Sequence, residues 1–258
     1  MKCKTLLFLA IPAIAGWQLQ ANATTITLGT AGNFAVLAGS TVTNTGNTVI
    51  NDGNVGVSPG SAITGFPPGT VTPPYTLYTA GAVPGQAQTD LTTAYNAAAG
   101  LAPTQTLTGQ DLGGMTLTPG VYFFASSAAL TGTLTLNDQG NSNAQFVFQI
   151  GSTLTTATGS SVVMSGGSTP DCNIFWQVGS SATLNTTTTF EGHILALTSI
   201  TMDTGATILD GSALARNGAV TLDDNTITNC ASTTPEPTTL GLLGLGAVGL
   251  LLLKRRSA

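Results

Sequence analysis

Few side chains in this 258-residue sequence could carry reaction chemistry, and their spacing does not serve it. His193 is the only histidine, and no Ser, His and Asp set can be assigned around it. It falls in a repeated segment where its counterpart is Ser212, which predicts an outward-facing coil residue. Asp223-Asp224 reads as a turn rather than a paired acid and base. Asn137-Asp138-Gln139-Gly140-Asn141 gathers oxygen ligands but lacks calcium-loop spacing, and a Gly-Asn turn accounts for it. Two cysteines and one histidine lack metal-ligand spacing. The expectation is no enzyme, no cofactor and no metal. What the chain does have in abundance is Thr. Each Thr holds a methyl and a hydroxyl on one stiff, branched carbon. On a rigid grid, the methyls would order neighbouring water and the hydroxyls would anchor it. Taken singly, a Thr is explained by its ordinary preference for a solvated strand.

A grid needs elements that repeat, and the sequence repeats. Gly192-His193-Ile194-Leu195-Ala196 returns as Gly211-Ser212-Ala213-Leu214-Ala215, and Ile200-Thr201-Met202-Asp203 as Val220-Thr221-Leu222-Asp223. Ala182-Thr183-Leu184 matches Ala206-Thr207-Ile208, and Phe148-Gln149-Ile150-Gly151-Ser152 matches Trp176-Gln177-Val178-Gly179-Ser180. Offsets near twenty residues suit one solenoid coil. Coils would stack at about 4.8 Å, with alternate strand residues about 6.8 Å apart. Thr133-Leu134-Thr135-Leu136 and Thr116-Leu117-Thr118 alternate strictly, so Leu points in and Thr out. Phe146-Val147-Phe148 and Ile174-Phe175-Trp176 are the aromatic core candidates. One segment changes period. Ala87, Leu91, Ala94, Tyr95 and Ala98 form a helical stripe, predicting a helix over Gln86–Ala99 stopped by Gly100 and Pro103. Its apolar face should lie against the β body.

The two ends read as processing signals. Residues 1–23 fit a secretory signal peptide: Lys2 and Lys4, an apolar run, then Ala21-Asn22-Ala23 as the cleavage site. At the other end Thr234-Pro235-Glu236-Pro237 precedes an uncharged stretch, Thr238–Leu253, and Lys254-Arg255-Arg256 closes the chain. An apolar run with a basic end inserts with that end cytoplasmic. Residues 231–258 resemble the PEP-CTERM sorting signal of Gram-negative bacteria. The resemblance implies an exosortase-type membrane protease as partner, transient membrane insertion by the C-terminal helix, and a secreted or cell-surface product. A plain C-terminal anchor is the alternative. Between the ends, residues 24–230 suffice for one sizeable core. The charged fraction is 7% and the formal net charge −5, with no basic patch for nucleic acid. Cys172 and Cys230 remain after signal removal. An oxidising envelope favours a disulfide between them, which would pin the last coil.

Leu28-Gly29-Thr30-Ala31-Gly32-Asn33-Phe34-Ala35-Val36-Leu37-Ala38-Gly39-Ser40, Gly56-Val57-Ser58-Pro59-Gly60, Ile63-Thr64-Gly65-Phe66, Leu117-Thr118-Pro119-Gly120-Val121-Tyr122 and Phe175-Trp176-Gln177-Val178-Gly179 stand in this order. With the Gly211–Ile227 stretch, they resemble the microbial ice-binding-protein-like family. The resemblance implies a mainly β fold, a right-handed discontinuous β-helix with one long α-helix packed alongside. It also implies ice as a partner, bound by one flat face. Some members repeat Thr-(Ala/Gly)-x-(Thr/Asn) coil by coil. Thr204-Gly205-Ala206-Thr207, Thr45-Gly46-Asn47-Thr48 and Thr30-Ala31-Gly32-Asn33 fit it. Thr158-Gly159-Ser160-Ser161 and Ser180-Ser181-Ala182-Thr183 fit with Ser in a Thr place. The expected face is therefore one column containing Thr183, Thr204, Gly205 and Thr207, extended by Thr45 and Thr48. The competing expectation is a non-catalytic matrix or adhesin-type protein of the biofilm that associates with extracellular polysaccharide.

Overall fold

The computed structural model describes residues 26–167 and 172–230. The signal-peptide and sorting-tail segments lie outside the described residues. The chain winds as a right-handed parallel β-solenoid of triangular section, with successive coils visiting three faces in fixed order. In the coil that begins at Phe34, Phe34–Ala38 lies on the first face, Thr41–Thr45 on the second and Val49–Asn51 on the third. A fifteen-stranded sheet bends across the first and third faces; a seven-stranded sheet forms the second. The stacking is discontinuous. The N-terminal coil pairs with the C-terminal one on every face: Val36 with Ala213, Val42 with Val220, Val49 with Thr226. The coil text written twice in the sequence is real. Gly192–Ala196 and Gly211–Ala215 pair in register, as do Ile200-Thr201 and Val220-Thr221.

One repeat is corrected. Ala182-Thr183-Leu184 pairs with Ile200-Thr201-Met202, not with Ala206-Thr207-Ile208. Thr207 instead pairs with Thr189 on the third face. The apolar–Thr–apolar triplet recurs on both bare faces, so an offset of 24 residues matches text while stepping from one face to the next.

The core is filled by inward side chains from all three faces. On the first face the inward column holds Tyr122, Phe148 and Trp176 as stacked rings, with Phe148 and Trp176 centroids 3.8 Å apart. The column continues with Ile194, Ala213, Val36 and Val55. Trp176 also meets Phe190 from the third face and donates its ring N–H to the Glu191 carbonyl. This is the aromatic core expected from the sequence. Buried aromatics of this kind dominate core energetics.

The first face is buried on both sides because a helix covers it. Helix α1 spans Ala82–Ala99, four residues longer at its start than the expected Gln86–Ala99, with Pro84 in its first turn where a missing N–H costs nothing. Its stripe is the predicted one: Ala87, Leu91, Ala94, Tyr95 and Ala98 are buried against Phe34, Leu37, Val147, Phe175, Leu195 and Leu214. At about 27 Å, the helix runs along the stack between the coil edge at Leu77–Thr79 and the opposite edge at Gln105–Thr106. Gln149 fastens its C-terminus by donating from Nε2 to the carbonyls of Ala98 and Leu101, each at 2.8 Å. Arg216, the single Lys or Arg between residues 5 and 253, lies over the Tyr95 ring at 4.6 Å. Among the described residues, the one α-helix thus covers one face and leaves the other two bare.

Candidate functional site

The second face is built from short strands with one outward residue at their centre. Leu154–Thr156, Ala182–Leu184 and Ile200–Met202 each bury the first and last residue and turn the middle one outward, Thr155 exposed and Thr183 and Thr201 half-buried. Parallel register then stacks like on like. Thr155, Thr183, Thr201, Thr221, Thr43 and Thr64 form one unbroken column across six consecutive coils, with Ala129 beyond Thr155. Each side chain follows the next at the coil spacing of about 4.8 Å. The hydroxyls of Thr43 and Thr221 lie 3.5 Å apart. Two residues upstream on each strand runs a parallel column of small residues: Ser127, Thr153, Ser181, Ser199, Ala219, Thr41 and Ala62. The Thr153 hydroxyl donates to Ser127 at 2.9 Å, and the Ser199 and Ala219 amides donate to the hydroxyls of Ser181 and Ser199. Neither column contains an ionisable side chain. Asp111, bridged to Ala129, follows the ladder at one end, and Asp203 and Asp223 lie along the downstream edge of the face.

This surface holds methyls and hydroxyls at fixed spacing in two dimensions, on a backbone bonded on both sides. Thr side chains on such strands have little rotamer freedom left to lose on binding. Neither column offers a group able to move a proton near neutral pH. The chemistry of the surface is recognition of a flat, hydrogen-bonding lattice.

The expected single column is redistributed by the structure. Thr183 is in the central ladder of the second face. Thr207 is on the third face, between Thr189 and Thr226. Thr204 and Gly205 occupy the turn between these faces. Gly205 takes φ +72° there, and the Thr204 hydroxyl donates to the Asp223 carboxylate. Thr45 ends a second-face strand opposite Asp223. Thr48 is wholly buried, its hydroxyl accepting the Asn225 amide at 3.0 Å. The Thr-Gly-x-Thr text therefore spans a corner and cannot supply neighbouring points of one plane. The residues missed were Thr43, Thr64, Thr155, Thr201 and Thr221. Thr201 and Thr221 signal their place as centres of apolar–Thr–apolar triplets, whereas Thr43, Thr64 and Thr155 follow an apolar residue but precede Asn44, Gly65 and Thr156.

Other sequence candidates settle into structural places. Gln139 and Gly140 have positive φ, and their amides donate to the side chains of Asn137 and Asp138, the turn chemistry expected there. Asp224 also turns the chain at positive φ and accepts the Asn47 amide. His193 is not an outward coil residue in solvent. It is 3% exposed, stacked on Phe175, with Nδ1 2.8 Å from the Ser212 hydroxyl. Burial pulls its pKa down to about 4, against a smaller upward pull from the Cys172 backbone. Cys172 and Cys230 are joined in a disulfide beside it. Among the described residues, no cluster of His, Cys, Asp or Glu could hold a metal ion, and no helix is long and apolar enough to cross a membrane.

The profile of the Ice-binding-like family matches residues 36–228. The chain belongs to that family. A second profile, the PEP-CTERM protein-sorting motif, matches residues 233–256. An ice-binding protein of Nostoc sp. (strain HG1) is 55% identical over 262 residues, covering 98% of this chain and 96% of its own. The crystal structure of an ice-binding protein from an Antarctic biological consortium superimposes with a TM-score of 0.75 at 49% identity, covering 87% of this chain and 96% of the other. One from the ascomycete Antarctomyces psychrotrophicus gives 0.75 at 43% identity, covering 80% and 98%.

Proposed function

We propose that this chain is an exported ice-binding protein that adsorbs to ice through its second face. The observation that carries the reading is the uninterrupted Thr column of the second face, flanked upstream by a column of only Ser, Thr and Ala. Solidifying water needs a template that already holds its first layer in place. The methyls restrict how neighbouring water can orient, and the hydroxyls and strand backbone fix where it bonds. Because the sheet is rigid before contact, little conformational entropy opposes adsorption. Membership of the Ice-binding-like family and the ice-binding relatives support the same reading.

The test is direct. Purified protein added to a growing single crystal should facet it and should slow recrystallisation of a frozen slurry at micromolar concentration. Crystals that grow round and unpitted at all concentrations would overturn the reading.

We further propose the route of export: removal of residues 1–23, a solenoid domain over 24–230, and recognition of 231–258 by an exosortase-type protease acting near Pro235, Glu236 and Pro237. The match to the sorting motif supports the last step. Replacing Glu236 or deleting Lys254–Arg256 should leave a heavier precursor in the inner membrane, read by intact mass. Normal export of both variants would refute the route.

A further inference from the structure

The chain visits the first, second and third faces in order, so the vertex joining the third face to the next first face lies opposite the second face. Several observations converge on that vertex. Thr189–Ala196 and Thr207–Ala215 run around it without a break. Cys230, the last described residue, lies there with its Sγ 3.2 Å from the Asp210 carbonyl oxygen. Asn229, 1% exposed, fixes the approach: its amide donates to Asn51 and its Nδ2 to the Gly32 carbonyl at 2.8 Å. At the other end of the described chain, Ile26 is buried in the cluster between the helix and the first face. Neither end of the described chain leaves across the Thr face.

We propose that the Cys172–Cys230 disulfide locks the exit of the sorting tail at this vertex, so that a chain held through its tail presents the Thr face outward. Only six residues, 231–236, separate Cys230 from Pro237, a reach of about 25 Å at most. Without the bridge, a pull on the tail falls on Thr226–Thr228, a three-residue strand. With it, the load passes to Cys172, which leads into the fully buried strand Ile174–Val178 two coils along the stack. The second face takes no part in this path.

The ice readout of this proposal rests on the ice-binding reading; the mechanical one does not. The full chain carrying Cys3→Ser and Glu236→Cys is biotinylated at position 236 and captured on streptavidin beads. A second preparation carries Cys3→Ser and Asn217→Cys and is captured through position 217, in the exposed turn that borders the second face and outside both of its columns. Beads held at 236 should stay on an ice surface under flow at least ten-fold more often than beads held at 217. Equal retention, with soluble protein active, overturns the orientation. Pulling between an N-terminal tag and position 236 then tests the lock. Adding Cys172→Ser and Cys230→Ser should at least halve the first rupture force while circular dichroism keeps its β signature. An unchanged force overturns the lock. If soluble wild-type protein leaves ice unshaped, the face assignment fails, and the rupture force still decides the lock.

Discussion

The second and third faces share coils, backbone and amino-acid vocabulary, yet only one of them is a lattice. On the third face one outward column runs Thr133, Ser161, Thr189, Thr207, Thr226, Val49 and Thr70. That is nearly as hydroxyl-rich as the second-face ladder. Two residues further along, however, its strands carry Thr135, Val163, Glu191, Leu209, Thr228 and Asn51. A carboxylate, a bulky aliphatic residue and an amide interrupt the plane, and Leu209 is 38% exposed. From there Thr189–Ala196 and Thr207–Ala215 bend into the vertex. The difference teaches that Thr content does not define a water-ordering surface. Two adjacent uncharged columns do, because a crystal plane must meet both at once; the second face has them in its Thr ladder and the Ser/Thr/Ala column upstream, with Asn185, Asp203 and Asp223 confined to its downstream edge.

The largest effect should come from breaking the second-face ladder at its middle. Thr201 has Thr183 on one side and Thr221 on the other. Thr201→Tyr puts a ring above the plane without entering the core. Thermal hysteresis should fall at least ten-fold, while stability changes by less than about 0.5 kcal/mol. Thr207→Tyr, at the matching position of the third face, should leave hysteresis within about two-fold of wild type. Equal loss from the two substitutions would mean that both faces meet ice and would dissolve the comparison.

Acid separates the faces from what supports them. From Ala129 to Thr64 the second-face ladder contains nothing that titrates, whereas His193 sits buried beside the disulfide at the vertex. Its folded pKa is about 4, below the ordinary value near 6.5. Above pH 6.5 both folded and unfolded chains hold it neutral, and its contribution is complete. As pH falls from 6.5 toward 4, the unfolded chain binds a proton that the folded one refuses, so stability declines by about 3 kcal/mol. The Thr30 hydroxyl and amide hold Asp90 below its ordinary range, adding loss of the same sign at lower pH. Melting temperature should therefore drop between pH 6.5 and 4, and hysteresis per folded molecule should not. His193→Gln should flatten that part of the profile. A flat wild-type profile would contradict the burial of His193 as a neutral ring.

Legibility followed the period of each signal. The helical stripe was readable because 3.6-residue spacing stands out in a chain otherwise alternating by two, and all five of its residues are buried as expected. Its start was not, since Ala82, Val83, Pro84 and Gly85 carry no stripe and Pro84 reads as a breaker until placed in a first turn. The aromatic core and the Gly192–Ala196 repeat were equally plain. The outward face was not, because the two bare faces use similar apolar–Thr text and register decides which residues are neighbours. An 18-residue offset joins Thr183 to Thr201 on one plane, whereas a 24-residue offset joins Thr183 to Thr207 across a corner. Burial of Thr48 and His193 was hidden for a related reason: both are polar residues satisfied by partners distant in sequence, Asn225 and Ser212.

The smallest effect sharpens the comparison from the other side. If uniformity is what the third face lacks, restoring it should confer some of the second face's behaviour. Glu191 and Leu209 are register partners, so Glu191→Thr with Leu209→Thr converts two adjacent points of the interrupted column at once. The new hydroxyls would continue the line from Thr228 toward Thr135, although Val163 still interrupts it. The backbone carbonyl of Glu191 keeps its bond from Trp176, so the core is untouched. Replacing the exposed Leu209 should cost within about 0.5 kcal/mol, and replacing the half-buried, partnered Glu191 more than that. Hysteresis should rise by no more than about two-fold, because the strands still bend away beyond this point and the repaired plane stays narrow. In a Thr201→Tyr background the same pair should recover only part of the lost activity. Full recovery would show that the third face already binds ice and that column uniformity is the wrong criterion. No gain in either background would show that width, set by where the strands turn, outweighs uniformity.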